Sequence, residues 1–345
     1  MKVLISSDGI HAHYFQRVAW LNAFRAVGIE AQLWDCKNVS AFDVFDSFEP
    51  DIFLGQSYNL DEALVKCLYE RPHLKVGLRA GDWGSHEKEI NQNQWNMLFA
   101  SEKEKRLLKK LKDETGKPDF VHIHYLQEDV NKTHEYFQSI GIPAKSLMMC
   151  ADTLMYGNAI ADPKLKCDIG FVGGYWPHKG LIINEYLFPM LNDIDKYKVK
   201  IFGNQRWPVN QYCGYIEDNQ VKNLFVSAKV CPNLSEPHAH AFGVDVNERI
   251  FKILFSGGFC VSDYCKAYEK VFNDGVVLAK TGEEFREKID YYINNQEEAK
   301  SIAKKGRQTV LSNHTSFHRI SDILKYTGNN ELSKKLLKAI PTFNL

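Results

Sequence analysis

The chain has no surplus of charge of either sign. Its 345 residues carry 43 Lys and Arg against 43 Asp and Glu, so no whole-molecule field draws it to a nucleic acid backbone or an anionic membrane, although a local basic patch stays open. Long apolar runs are also missing, and none approaches the roughly 20 residues that cross a bilayer. Eight cysteines are present without one C-x-x-C pair, which argues against a disulfide framework and a zinc site. Most of them (Cys67, Cys150, Cys167, Cys231, Cys260) sit in apolar runs and read as reduced core residues of a cytosolic protein. There is no repeat and no low-complexity segment. The N-terminal MKVLISSDG reads as a strand entering a glycine turn rather than as a signal peptide.

What is present is a series of β-α-β units. Val3 to Ile5 is a short apolar strand, followed by a polar loop, a helix over about 14–27 that ends at Gly28, and a strand from Ile29 to Trp34. Strand 51–54, helix 60–69 and strand 74–78 continue the pattern. A loop at Arg79 to Gly84, a strand at 97–100, a charged helix at 101–112 and a strand at 120–125 follow. The pattern predicts parallel sheets. Periodicity lapses over 151–166, around Gly157 and Pro163, which suits a linker. We read domains at 1–155 and 167–320, a linker at 156–166 and a helical tail at 321–345. The expected fold class is α/β, two Rossmann-like doubly wound parallel-sheet domains facing across a cleft.

The stretch CPNLSEPHAHAFGVDVNERIFKILFSGGFCVSD, residues 231–263, is the centre of this reading. It runs from an apolar strand through a polar loop with Ser235, Glu236, His238 and His240 to a helix with Val246, Ile250, Phe251, Leu254 and Phe255 at helical spacing. Gly257 ends that helix, because glycine takes the left-handed conformation without steric cost. Ligands of open parallel sheets bind at the carboxyl edge, where this loop lies.

The second half resembles the group 1 glycosyltransferases, and most closely their spore-maturation-protein branch. Four segments carry the resemblance: CDIGFVGGYWPHKG at 167–180, the CGYIEDN, VSAKVCPN and SE segments within 212–236, RIFKILFSGGFCVSD at 249–263, and Gly306-Arg307 with Asn313-His314-Thr315 and Arg319. The resemblance implies the GT-B fold and a metal-independent hexosyltransferase with a nucleotide-sugar co-substrate, a UDP-sugar, and no other cofactor. It also implies a donor-binding set: Gly173, Gly174 and Lys179 at the diphosphate, Tyr215 and Ile216 at the base. The family's usual ribose-binding Glu is replaced here by Lys252, which cannot accept hydroxyl hydrogen bonds. Glu248, one turn earlier, is expected to take the ribose while Lys252 turns to the diphosphate; the other reading is a simple Glu248–Lys252 pair at i,i+4. Asp245 is a further carboxylate within reach.

The other candidates each have a plain structural reading beside the functional one. Glycines at a strand end admit backbone amides to an anion, and Lys179 adds charge; an ordinary turn with a solvated lysine is the alternative. Arg249 is a diphosphate ligand or a structural partner, Asn247 a contact or a helix cap, Arg206 a cleft or a surface residue. His238 and His240, two apart, invite a metal, but no third ligand lies at suitable spacing; His240 is assigned to the donor. His124 matches a family histidine near the donor sugar. Asp8 and Asp82 are candidate bases for the acceptor hydroxyl, with turn and cap roles as the alternative. His11, His13 and Trp83 are candidate acceptor contacts. The acceptor is expected to be a glycan or small molecule. A modified DNA base, or a non-catalytic nucleotide-sugar-binding role, is the alternative.

Overall fold

A computed structural model describes residues 1–9, 12–80, 102–192 and 196–340. The chain divides into two compact units, 1–148 with 316–344, and 149–315. The expected strand at 97–100 lies outside the described residues.

The first unit holds a six-stranded sheet in the order β2-β1-β3-β4-β5-β6, formed by β1 (Lys2–Ser7), β2 (Glu30–Asp35), β3 (Ile52–Gln56), β4 (Lys75–Arg79), β5 (Phe120–Ile123) and β6 (Ala144–Ser146). Every pairing is parallel. Val3, Leu4 and Ile5 of β1 are wholly buried, as a strand must be when helices cover both faces of a parallel sheet. A helix not foreseen from the sequence, Ala41–Phe48, buries Val44, Phe45 and Phe48. Its two Asp and one Ser obscure an apolar stripe only one turn long.

The second unit has five parallel strands in the order β11-β10-β9-β7-β8: β7 (Cys167–Val172), β8 (Val199–Phe202), β9 (Ala228–Asn233), β10 (Cys260–Asp263) and β11 (Val277–Ala279). Each sheet therefore starts with a strand whose neighbours on its two sides are reached in opposite winding directions. Between β1 and β3, and between β7 and β9, the strand order reverses. Such a switch point opens a crevice at the carboxyl edge, the place where doubly wound sheets bind ligands.

The tail is helical, Ser316–Tyr326 and Asn330–Ala339. It belongs to the first unit, not to a separate segment following the second. Phe317, Ile320, Ile323 and Leu324 are fully buried, and Tyr326 Oη donates to Ser146 O at 3.0 Å. All eight cysteines are free thiols, and the five read as core residues are buried. Among the described residues no helix is long and apolar enough to cross a membrane.

Candidate active site

At the switch point of the second unit, the loop after β7 passes the loop after β9. Gly203, which follows β8, lies so close to the β7 loop that a Cβ there would sit 2.3 Å from Gly173 O. A Cβ on Gly173 would meet Arg249 Nη2 at 2.7 Å. Backbone approach requires glycine at 203, whereas a side chain at 173 would push the Arg249 guanidinium aside. Gly173 N–H itself donates to Phe202 O at 2.9 Å, so that amide is committed to the scaffold. Trp207 Nε1 donates to Gly173 O at 2.9 Å and fixes the turn. At Gly174 the nearest neighbour of a Cβ would be the Trp176 ring, at 3.1 Å.

Lys179 lies in the first turn of the helix Pro177–Tyr186 and is 5% exposed. Its Nζ is 3.6 Å from Glu236 Oε1 and 5.4 Å from the Trp176 ring centre. Burial first, and then the charge of Arg249, lower its pKa to about 8 against the pull of Glu236 and Asp263. Arg249 is anchored at the neck of both strands: Nε donates to Val172 O at 2.7 Å, Nη1 to Leu234 O at 3.2 Å, and the guanidinium lies 4.7 Å from the Phe171 ring centre. Asn247 is the cap of its helix, accepting from Ile250 N–H, and also donates to Leu234 O. Two cations and a helix N-terminus thus converge where an anion would be held.

Asp263, at the end of β10, organises the polar side of this site and was not singled out in the sequence. It is fully buried. One carboxylate oxygen accepts from Ser235 N–H at 2.7 Å and from His240 Nε2 at 2.8 Å; the other accepts from Ser235 Oγ at 2.9 Å and Ser262 Oγ at 3.1 Å. Tyr268 Oη lies 2.8 Å from Ser235 Oγ. The loop carrying His238 and His240 is a short helix, Pro237–Phe242, closed by Gly243 at φ 68°. The two histidines diverge: His238 Nε2 meets Asp245 Oδ2 at 2.8 Å, and His240 meets Asp263.

Residues 185–325 match the family model "Glycosyl transferase-like", and no curated protein matches. Among solved structures the chain is similar to an alpha-glucosyltransferase in complex with UDP and a 13-mer DNA containing a HMU base (12% identity over 95% of this chain and 99% of that one, TM-score 0.63). It is also similar to the sucrose-phosphate synthase of Thermosynechococcus elongatus (10%, 98% and 99%, TM-score 0.59). A third is the DNA modifying enzyme beta-glucosyltransferase (14%, 98% and 100%, TM-score 0.54). The fold is GT-B.

Within this GT-B chain the remaining candidates fall into three groups. Glu248 and Lys252 form a buried ion pair, with Lys252 Nζ also 5.3 Å from the Tyr156 ring centre. Lys252 is turned to Glu248 and Tyr156, the contact that the i,i+4 pairing describes. Burial raises the Glu248 pKa despite the opposing charge of Lys252. Because the buried Lys252 ammonium would then face a neutral amide, Glu248→Gln should lower stability by about 1–3 kcal/mol, the cost of weakening a buried charged contact. Glu248→Leu/Lys252→Met should recover most of it, because an apolar pair has no desolvation penalty; thermal unfolding of the two variants checks this. Arg206 and Tyr215 are exposed, and Ile216 is buried.

In the first unit, Asp8 is engaged by Arg17 Nη1 at 2.8 Å, so its carboxylate is not poised as an isolated base. His13 and His124, far apart in sequence, are brought together with ring centres 5.5 Å apart. His122 is buried in the core, edge-on to Trp20. His11, Asp82 and Trp83 lie outside the described residues.

The His240–Asp263 contact makes a pH prediction. Burial opposes protonation, but the hydrogen bond and charge of Asp263 prevail and raise the His240 pKa above 6.5. Its stabilisation is fully present below the unfolded value and is lost as pH rises through the folded one. The melting-temperature gap between wild type and His240→Gln should be wider at pH 5.5 than at pH 9, as scanning calorimetry at the two pH values would show.

Proposed function

We propose that this protein is a metal-independent glycosyltransferase that moves a hexose from a UDP-sugar to a hydroxyl of a glycan or small molecule in the cytoplasm. The observation that supports this most is the convergence of the buried Lys179 and the half-buried Arg249 on the β7 turn at the sheet's switch point. In this reading the donor diphosphate enters beside Gly173 and Gly174 and displaces Glu236 from Lys179. As the sugar–oxygen bond breaks, negative charge grows on the leaving phosphate, and the two cations, already fixed in place, stabilise it. Arriving phosphate raises the Lys179 pKa again, so the ammonium is charged when it is needed. Asp263 holds Ser235 and His240 in position; His240 is assigned to the donor sugar. Tyr215 and Ile216 are assigned to the base.

On the acceptor side, the paired imidazoles of His13 and His124 are better placed than the Arg17-bound Asp8 to take a proton. The spore-maturation branch remains our assignment within the wider fold. The Glu248–Lys252 pair is assigned to the scaffold of the donor helix, with the ribose held by other groups of the site.

A panel of nucleotide sugars, followed by nucleotide release, tests the proposal. Release from at least one donor supports it. Binding of nucleotide without release from any donor or acceptor would instead make the chain a nucleotide-sugar-binding protein. A second reading has a specific motive, since two of the similar structures are enzymes that act on or are bound to DNA. The balanced charge weighs against it, because gripping a duplex takes several Lys and Arg contacts to phosphate. Including a duplex with hydroxymethylated bases among the acceptors distinguishes the two.

A further inference from the structure

The first unit contains a second convergence of cations that the donor site does not use. Its strand register sets it up: Gln56 of β3 is the partner of Arg79 of β4, and Arg79 is the partner of His122 of β5. Register partners project to the same face of a sheet, so these side chains lie along the carboxyl edge on one side. That side is covered by the helix Ala12–Ala26, because Trp20 of this helix packs on His122. Arg17 descends from the same helix and is 4% exposed.

Two guanidiniums therefore share one edge with a single ion-paired carboxylate among the described residues. Asp8 takes Arg17. Among the described residues, Arg79 Nη1 donates to the neutral Tyr58 Oη at 3.2 Å, and its buried Nε has no hydrogen-bond partner. The field of the pair is felt nearby: burial, then Arg79 and Arg17, hold the His122 pKa well below 6.5, so this ring does not add a charge near neutral pH. An arginine kept half-buried with an unmet donor costs stability unless something anionic completes it. His13 and His124 stand at the same carboxyl edge, His124 directly after β5.

We propose that Arg79, supported by Arg17, binds a phosphate monoester carried by the acceptor, and so sets which hydroxyl compounds the enzyme accepts. Assigning the group to the acceptor rests on the transferase reading, in which the donor diphosphate belongs to the second unit. A guanidinium fork matches a terminal phosphate with two parallel hydrogen bonds. A monoester is favoured over a duplex backbone because the arginines are withdrawn from the surface, where only a terminal group can follow. The chain has no net positive charge with which to hold a polyanion.

The test is calorimetric titration of inorganic phosphate, glucose 6-phosphate and glucose into protein saturated with UDP. The first two should bind and glucose should bind far more weakly. Arg79→Gln should weaken both phosphate ligands at least tenfold without altering UDP affinity. Arg79→Lys, which keeps the charge and loses the fork, should fall between, and separates a binding effect from misfolding. Absent phosphate binding, or binding unchanged in Arg79→Gln, would overturn the proposal. So would a DNA duplex that binds through Arg79 while glucose 6-phosphate does not. Arg79-dependent phosphate binding by a wild-type protein that takes up no UDP at saturating concentration would support this site and overturn the donor assignment instead.

Discussion

Lys179→Gln should reduce turnover of the nucleotide sugar by about 100- to 1000-fold, the usual cost of removing one fixed charge-stabilising donor from a transition state. Stability should scarcely change. The lysine is 5% exposed and is charged at a desolvation cost that lowers its pKa to about 8. For a lysine with a depressed folded pKa, that cost is present below the folded value and is relieved as pH rises towards the unfolded one. The variant should therefore melt at or slightly above the wild-type temperature below pH 8. Glu236, left behind, is part-exposed and can turn to water. A second readout follows from the same ionisation. UDP affinity of the wild type should fall as pH climbs past 8, while that of Lys179→Gln should be lower and flat. Steady-state kinetics and calorimetry across pH 6.5–9.5 measure both; a variant of wild-type activity would remove Lys179 from the mechanism.

Asp263→Ala should have the largest effect on stability, about 3–5 kcal/mol, as expected when a buried anion with several donors is deleted and the donors remain. Four contacts converge on this carboxylate, from Ser235 N–H, Ser235 Oγ, Ser262 Oγ and His240. Denaturant unfolding monitored by circular dichroism checks the loss. At temperatures where the variant is folded, the loop after β9 should be released, and with it the placement of His240. Activity should fall even there. Loss below 1 kcal/mol would show that the carboxylate is an onlooker rather than the organiser of the loop.

The polar hub was hidden in the sequence for a definite reason. Ser235 and Asp263 are 28 residues apart, and what joins them is strand register, Asn233 of β9 standing opposite Ser262 of β10. Period and composition locate both strands but not that pairing. Arg17 was hidden differently: within a helix of mixed composition an arginine reads as solvated, and only burial against the sheet edge exposes its role. Conversely, the β-α-β order, the Gly257 helix stop at φ 91° and the turn at Gly173–Gly174 were legible, because buried parallel strands and glycine stops leave local marks. The Glu248–Lys252 contact was also legible as i,i+4 spacing. What spacing could not say was that both side chains of the pair are buried. The tail shows the same limit. Its apolar stripe predicts helices, but not that they return to the first sheet.

The central claim is that the turn after β7, with Lys179 and Arg249, holds the diphosphate of a nucleotide donor. A crystal structure of the protein soaked with UDP tests it most directly. Phosphate oxygens should lie within hydrogen-bond reach of Lys179 Nζ and the Arg249 guanidinium, with Glu236 moved off Lys179. A nucleotide bound at any other edge of either sheet, or protein that takes up no UDP at saturating concentration, would contradict it.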